Sequence, residues 1–267
     1  MTITTLAGVR SGLGADTYLL KSVAGASAYP RLGTSWALSA IPEAGSYDAT
    51  LAGVTLSDST TGAMSLSATA GANTHLASVD GKGSAAGLFL ICDRLWHNGG
   101  LTITSTSPQS ITSPTWPARD EDGATDGKGV LLALEVSATT GSGSPTITVG
   151  YTNSEGVGGR TATNIGSTSP NIAIGCVYPI GLQAGDRGVR SVQSLTLSAT
   201  WTSGTINLVA YRPIAMVYAR TSLTVGRSLA DVLSIGMPRI YDGSCLYIMG
   251  TNTVASFFHG IYRTAAG

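Results

Sequence analysis

Glycine recurs along the whole chain, 35 times in 267 residues, and divides it into short runs rich in β-branched and aromatic residues. Serine and threonine are abundant between these runs, whereas the strong helix formers Glu, Lys, Gln and Arg are scarce and support no long amphipathic pattern. Short apolar runs bounded by turn residues are typical of an all-β sandwich or barrel. The spacing of the runs predicts an all-β protein with about eight to ten strands.

Three segments show strand patterns most clearly. Residues 129–136 are apolar except for Glu135, which predicts a strand covered on both faces. Residues 146–151 alternate between large apolar and small residues, which predicts a strand with one buried face. The alternation is weaker in residues 189–197. The side chains that it would place on one face are Val189, Ser191, Gln193, Leu195 and Leu197.

One short helix is expected near the C-terminal end. Ser228 offers a hydroxyl cap and Asp231 follows three residues later, ahead of an apolar stretch. Gly236 and Pro238 should end this helix after about two turns.

The clarity of the strand patterns differs between two parts of the chain. Residues 1–83 contain many small residues and prolines without a clear period, and we interpret them as an extended N-terminal arm or a small subdomain. Gly81 to Ser84 resemble a linker or turn, and residues 84–267 carry the clear strand patterns of a β-sandwich domain.

Composition narrows the classes of function. A hydrophobic fraction of 43% with only 11% charged residues indicates a folded chain. A formal net charge of zero, without a basic run, argues against nucleic acid as a partner. The absence of a signal-peptide pattern and of a long apolar run predicts a soluble protein made in the cytoplasm, with no membrane partner. Cys92, Cys176 and Cys245 each lie in an apolar run and are expected to be small buried hydrophobes.

No catalytic motif is recognisable, so we expect a non-enzymatic protein without a cofactor. His75, His97 and His259 are far apart in sequence and form no local metal or acid–base motif. The serine-hydrolase elbow G-x-S-x-G and the phosphate loop G-x-x-x-x-G-K-[ST] are both missing.

An acidic loop at residues 120–127 is the best local candidate for a ligand site. Its acidic residues are Asp120, Glu121, Asp122 and Asp126. Carboxylate oxygens suit calcium, but the spacing departs from the EF-hand pattern, since Thr125 stands where that pattern requires glycine. A turn held by side-chain-to-backbone hydrogen bonds is the favoured interpretation, and calcium stays open as the alternative.

Tryptophans leave a carbohydrate-binding alternative open. Trp36, Trp116 and Trp201 would form a sugar platform if they were exposed, although half-buried aromatic residues of a sheet are the more usual situation.

Several separate sequence segments in the second part of the chain resemble those of a family of tailed-bacteriophage virion proteins. They are LICDRLWHNG (90–99), PARDEDG (117–123), residues 129–137, YTNSEGVGGRTAT (151–163), LQAGDRGVRSVQSL (182–195), residues 205–213 and GMPRIYD (236–242). The resemblance covers roughly residues 85–265, and the first eighty residues match more loosely.

The resemblance implies a structural protein of the virion, and among these a capsid decoration, or cement, protein. It also implies a jelly-roll-like antiparallel sandwich that sits as a dimer or trimer on the capsid surface, with the major capsid protein and copies of itself as partners. No functional residue carries over from the family, because it has no assigned site. A tail or fibre component that contacts the host surface is the alternative within the virion.

A cement protein needs an adherent segment, and the N-terminal arm is our candidate. The large side chains expected to bind the lattice are Leu13, Tyr18, Tyr29, Pro30 and Trp36.

Overall fold

The computed structural model describes residues 5–25, 31–65, 73–219, 228–251 and 255–267. The protein is mostly β, with 46% of residues in strands and 5% in helices, as the sequence predicts. The elements are α1 (Leu6–Gly12), β1 (Thr17–Val23), β2 (Leu32–Thr34), β3 (Ala40–Ile41), β4 (Val54–Thr55), β5 (Thr74–Gly83), β6 (Gly87–His97), β7 (Gln109–Ser110), β8 (Leu131–Ala138), β9 (Ile147–Asn153), β10 (Arg160–Asn164), β11 (Cys176–Gly181), β12 (Val189–Leu197), β13 (Thr205–Ala219), β14 (Ser228–Ala230), α2 (Val232–Ile235), β15 (Arg239–Ile240), β16 (Leu246–Gly250) and β17 (Ser256–Ala266). None of the helices in the described part of the chain has the length and apolar character needed to span a membrane.

A closed ring of six antiparallel strands forms the centre of the fold. The strands follow one another in the order β2, β16, β6, β13, β8 and β11, and β11 pairs back with β2. The longest member, β13, pairs with β6 along one edge and with β8 along the other. Closure satisfies the hydrogen-bonding groups that an open sheet would leave at its edges.

Alternation along β8 shows how the ring is filled and covered. Ala133 and Glu135 point to the interior, where Ala133 packs with aromatic residues of other strands. Leu132, Leu134 and Val136 point outward into a second apolar cluster. All five are buried, so the prediction of a strand covered on both faces is confirmed.

Two sheets cover the outside of the ring. The first continues from β11 through β10, β9 and β12 to β7 and encloses the largest apolar cluster against the ring. The second, which we call the terminal sheet, has the order β14, β5, β17, β1 and β3, with β15 also paired to β5. Its inner side chains, among them Leu19, Phe258 and Tyr262, pack on the outer side of β6, β13 and β16.

The described part of residues 1–83 is built into the sheets and does not form an extended arm. β1 pairs with β17 over seven residues, β5 pairs with the other edge of β17, and β2 closes the ring. The physical reason is that each strand has an apolar face to bury: Leu19 and Val23 of β1 and Leu76 and Val79 of β5 pack in one apolar cluster. The boundary predicted after residue 83 therefore falls between strands that share sheets with the C-terminal part.

The predicted C-terminal helix is present, but it begins three residues later than expected. Asp231, and not Ser228, caps α2, since its carboxylate accepts the backbone N–H groups of Leu233 and Ser234. Gly236 ends the helix with a φ of 67°, the left-handed conformation that glycine adopts most easily. A second helix, α1, was not predicted; Thr5 caps it, accepting the N–H of Gly8.

Candidate functional site

The outer face of the terminal sheet exposes large apolar side chains. We call this surface the terminal face and define it by the outward residues Tyr18, Asp80, Lys82, Phe257, His259 and Ile261. Half of the Phe257 side chain and 46% of Tyr18 are exposed. Neighbouring Ile41 on β3 is 52% exposed. Contiguous apolar surface of this kind on a folded domain marks interaction sites.

A shallow depression of about 290 Å³ lies in the middle of the terminal face. Gly81 and Gly260 pair across β5 and β17 and line the depression with backbone. A Cβ atom on Gly260 would collide with the carbonyl oxygen of Asp80, which shows that the close approach of the two strands requires glycine. Tyr18 and His259 stand at the rim in an edge-to-face contact, with ring centroids 5.4 Å apart.

The three predicted lattice-binding residues that lie within the described ranges do not come together. Tyr18 lies on the terminal face. Leu13, which is 41% exposed, forms an isolated β-bridge with Ala265 of β17. Trp36 is fully buried in the ring, where its indole N–H donates to the carbonyl oxygen of Ser46. Tyr29 and Pro30 lie outside the described residues.

The ring interior contains a buried ion pair. Arg94 Nη1 lies 2.6 Å from Glu135 Oε2, and neither side chain is more than 1% exposed. Tyr47 donates its hydroxyl to the other carboxylate oxygen at 2.8 Å. The guanidinium also stacks over Trp36, 4.4 Å from the ring centroid, and lies 5.3 Å from the ring of Tyr247. Aromatic faces and a hydrogen-bonded carboxylate thus replace the water that this cation has lost.

His97 belongs to the same network and is held neutral. Burial, together with the neighbouring charge of Arg94, lowers the pKa of His97 to about 2. Arg94 Nε and the backbone N–H of Asp48 approach its two ring nitrogens at 3.1 and 3.2 Å. A neutral imidazole accepts at one nitrogen only, so one contact is a hydrogen bond and the other a close approach. Such a group positions its neighbours and stays uncharged at physiological pH.

A second buried charge cluster surrounds Asp93. Its carboxylate accepts the hydroxyl of Ser244 at 2.8 Å and the backbone N–H of Cys245 at 2.9 Å, and it lies 3.5 Å from Arg119 Nε. Arg212 in turn donates to the carbonyl oxygen of Arg119 at 2.8 Å. These contacts join β6 to the loops before β16 and β8, so the buried charges hold these parts of the fold together.

The acidic loop directs its main carboxylate at its own backbone. Asp120 is buried and accepts N–H groups from Asp122 and Ala124 on one oxygen and from Gly127 and Lys128 on the other, at 2.7–3.3 Å. These four bonds use the acceptor positions that calcium would need, as the favoured turn interpretation requires. Within the described ranges, no group of three His, Cys, Asp or Glu side chains is placed to hold a metal ion.

The tryptophans do not form a sugar platform. The side chains are at most 1% exposed in all three cases: Trp36, Trp116 and Trp201. Each indole N–H donates to a backbone carbonyl oxygen, which satisfies this polar group in the buried position. The three cysteines are buried and free, as predicted.

Sequence reasoning missed the C-terminal half of the terminal face. The available signal was that residues 256–266 have apolar side chains on both faces: Phe258 and Tyr262 point inward, whereas Phe257 and Ile261 point outward. A strand that faces solvent on one side normally carries polar residues there.

Comparisons of this chain with protein-family models, with curated proteins and with solved structures gave no match.

Proposed function

We propose that this protein is a non-enzymatic structural component of a bacteriophage particle, a decoration protein that binds the head lattice through its terminal face. The observation that carries the proposal is the exposed apolar surface around Tyr18 and Phe257 on a β body with three buried apolar clusters. The sequence segments that resemble tailed-phage virion proteins also support a structural role in the virion.

The terminal face has the chemistry of an association surface. Tyr18 and Phe257 offer aromatic area, and Lys82 and Asp80 bring one charge of each sign beside the depression. Aromatic residues framed by polar groups form the energetic centre of most protein–protein interfaces. A chain with a formal net charge of zero also repels its own copies weakly, which favours dense packing on a lattice.

The arrangement of the charged groups supports a role without chemistry. His97 is locked in the ring, His259 stands on the terminal face and His75 lies on β5 opposite Arg239. Arg94, Glu135 and Asp93 are all buried, and they contact one another or the backbone inside the protein.

The proposed partners are the major capsid protein and further copies of this chain, as dimers or trimers on the capsid surface. The protein would be made in the host cytoplasm and reside in the virion. The jelly-roll assignment stays a prediction, because a jelly roll requires two Greek keys in facing sheets, whereas the ring and its two covering sheets establish only the β class.

A binding experiment with matched variants tests the proposal. Purified protein is mixed with expanded, undecorated heads and co-sedimented, and Tyr18→Ser is compared with Tyr218→Ser. Both tyrosines are about half exposed, at 46% and 57%, but only Tyr18 lies on the terminal face. Loss of a central aromatic contact should weaken Tyr18→Ser about tenfold or more, while Tyr218→Ser binds like the wild type. Absence of wild-type binding to heads, with binding to tails instead, would replace the decoration role with the tail or fibre alternative.

A further inference from the structure

We propose that a cavity at one end of the ring binds a neutral saccharide. The cavity has a volume of about 330 Å³, which suits one or two sugar units. It lies above the buried network of the ring, since Tyr47 and Asn207 contribute to both. The lining residues are Tyr47, Asp48, Ala49, Gly99, Gly100, Leu101, Ser137, Thr205, Ile206 and Asn207. The site is separate from the terminal face, so this inference goes beyond the decoration role and stands or falls independently of it.

The lining offers apolar walls and hydrogen-bonding groups, which match the C–H faces and the hydroxyl groups of a sugar. Tyr47, Leu101 and Ile206 provide aromatic and aliphatic walls, which suit the C–H faces of a pyranose. The hydroxyls of Ser137 and Thr205 lie 3.0 Å apart at the mouth, where both can exchange hydrogen bonds with a sugar hydroxyl.

A buried acceptor in the wall has no partner within the described residues. Asn207 is 2% exposed, and its Nδ2 donates to the carbonyl oxygen of Asn98, which fixes the orientation of the amide. Its Oδ1 makes no hydrogen bond among the described residues. A buried carbonyl oxygen without a donor is unfavourable, and a ligand hydroxyl that reached it would remove this cost.

The segment that carries Asp48 is held in place before any ligand arrives. Asp48 Oδ1 accepts the N–H and the hydroxyl of Thr50, and the backbone N–H of Asp48 contacts His97. Gly99 donates its N–H to the carbonyl oxygen of Thr50 at 2.9 Å. A carboxylate offers about four acceptor positions, so Asp48 keeps capacity for a bidentate contact with adjacent sugar hydroxyls. A preformed wall lowers the entropy cost of binding.

Charge narrows the ligand to a neutral class. Asp48 is the sole charged residue among those that line the cavity, and its carboxylate would repel a phosphate or an acidic sugar. One carboxylate is too few for a stable calcium or magnesium site. A neutral polyhydroxylated molecule uses every group present and requires no counter-charge.

Nuclear magnetic resonance with simple sugars tests the inference. The methyl glycosides of glucose, galactose and N-acetylglucosamine are titrated to tens of millimolar into the full chain. At least one should shift the amide signals of Gly99, Gly100 and Asn207 with a saturable dependence on concentration. Perturbation confined to other regions, or no saturable shift with any of the three, would overturn the proposal.

A matched pair of variants locates the binding. Thr205→Tyr places a strand-compatible side chain across the mouth, and Thr161→Tyr makes the same change at another exposed strand position outside the cavity. Binding should weaken about tenfold or more in Thr205→Tyr and stay unchanged in Thr161→Tyr. Undiminished affinity in a folded Thr205→Tyr protein would contradict the assignment of the site.

Discussion

The ring interior and the terminal face reverse the usual distribution of side chains. The interior buries Arg94, Glu135 and His97, whereas the terminal face leaves Tyr18 and Phe257 half in solvent. Buried charges are costly unless they are paired, and here Arg94 is paired with Glu135 and contacts His97. The exposed halves of these aromatic side chains gain nothing from folding, and we propose that they serve association. The comparison separates residues that define the fold from residues available for a partner.

Deletion of residues 1–60 should produce the largest effect, because it removes members of both regions. It takes away β1, which pairs with β17, and β2, which closes the ring, together with the buried Trp36. We expect the truncated chain to lose cooperative thermal unfolding, as followed by circular dichroism. Retention of a sharp transition would show that residues 61–267 fold alone and that the first part is dispensable to the β body.

Breaking the ion pair of the ring should be the next largest effect. Arg94→Met leaves Glu135 buried without its cation and should lower the free energy of unfolding by about 3–5 kcal/mol. The double variant Arg94→Met with Glu135→Leu should regain much of this loss, because no unpaired charge remains. Urea denaturation measures both. Equal destabilisation of the single and double variants would mean that packing, and not charge pairing, is what Arg94 supplies.

The terminal sheet also buries an ionisable side chain, Lys21, and this residue should make the stability of the protein depend on pH. Lys21 is 1% exposed and donates to the carbonyl oxygens of Pro42 and Glu43, both at 2.8 Å. Burial lowers the pKa of Lys21 from 10.5 to about 8. Between these values the unfolded chain binds more protons than the folded chain, so stability should rise as the pH increases above about 8.

The Lys21→Met variant isolates that contribution. It has no amine to titrate, so the difference in stability between it and the wild type should change by about 1–2 kcal/mol between pH 8 and pH 9.5. The wild type should gain stability relative to the variant over this interval. A constant difference would show that the two carbonyl contacts offset the cost of burying the charge.

The sequence predicts the β class and the burial of β8 on both faces, but neither the closed ring nor the polar groups inside it. Residues 129–136 are correctly predicted to form a strand buried on both faces, because the run is apolar except for Glu135. Nothing in the chain marks Glu135 as the partner of Arg94, since the two meet only when β8 and β6 flank β13. A long-range pairing of this kind depends on strand order, which single-sequence patterns do not contain.

Strand β12 shows why register is also difficult to predict. Strict alternation placed Ser191 and Gln193 with the apolar residues, yet Val192 is the buried residue. Register shifts after Val189 and after Val192 each move the following side chain to the opposite face. Alternation in β1 does not place Tyr18 on an exposed face, because the opposite, buried face carries Lys21. The burial of Trp36 depends on a ring made of six strands that are distant in sequence.

Electron cryomicroscopy of undecorated heads mixed with the purified protein tests the central claim most directly. The account predicts regular density at capsomer junctions, with the sheet formed by β5, β17 and β1 turned toward the capsid and Tyr18 and Phe257 in the contact. Bare heads, or bound protein whose terminal face points into solvent, would contradict it.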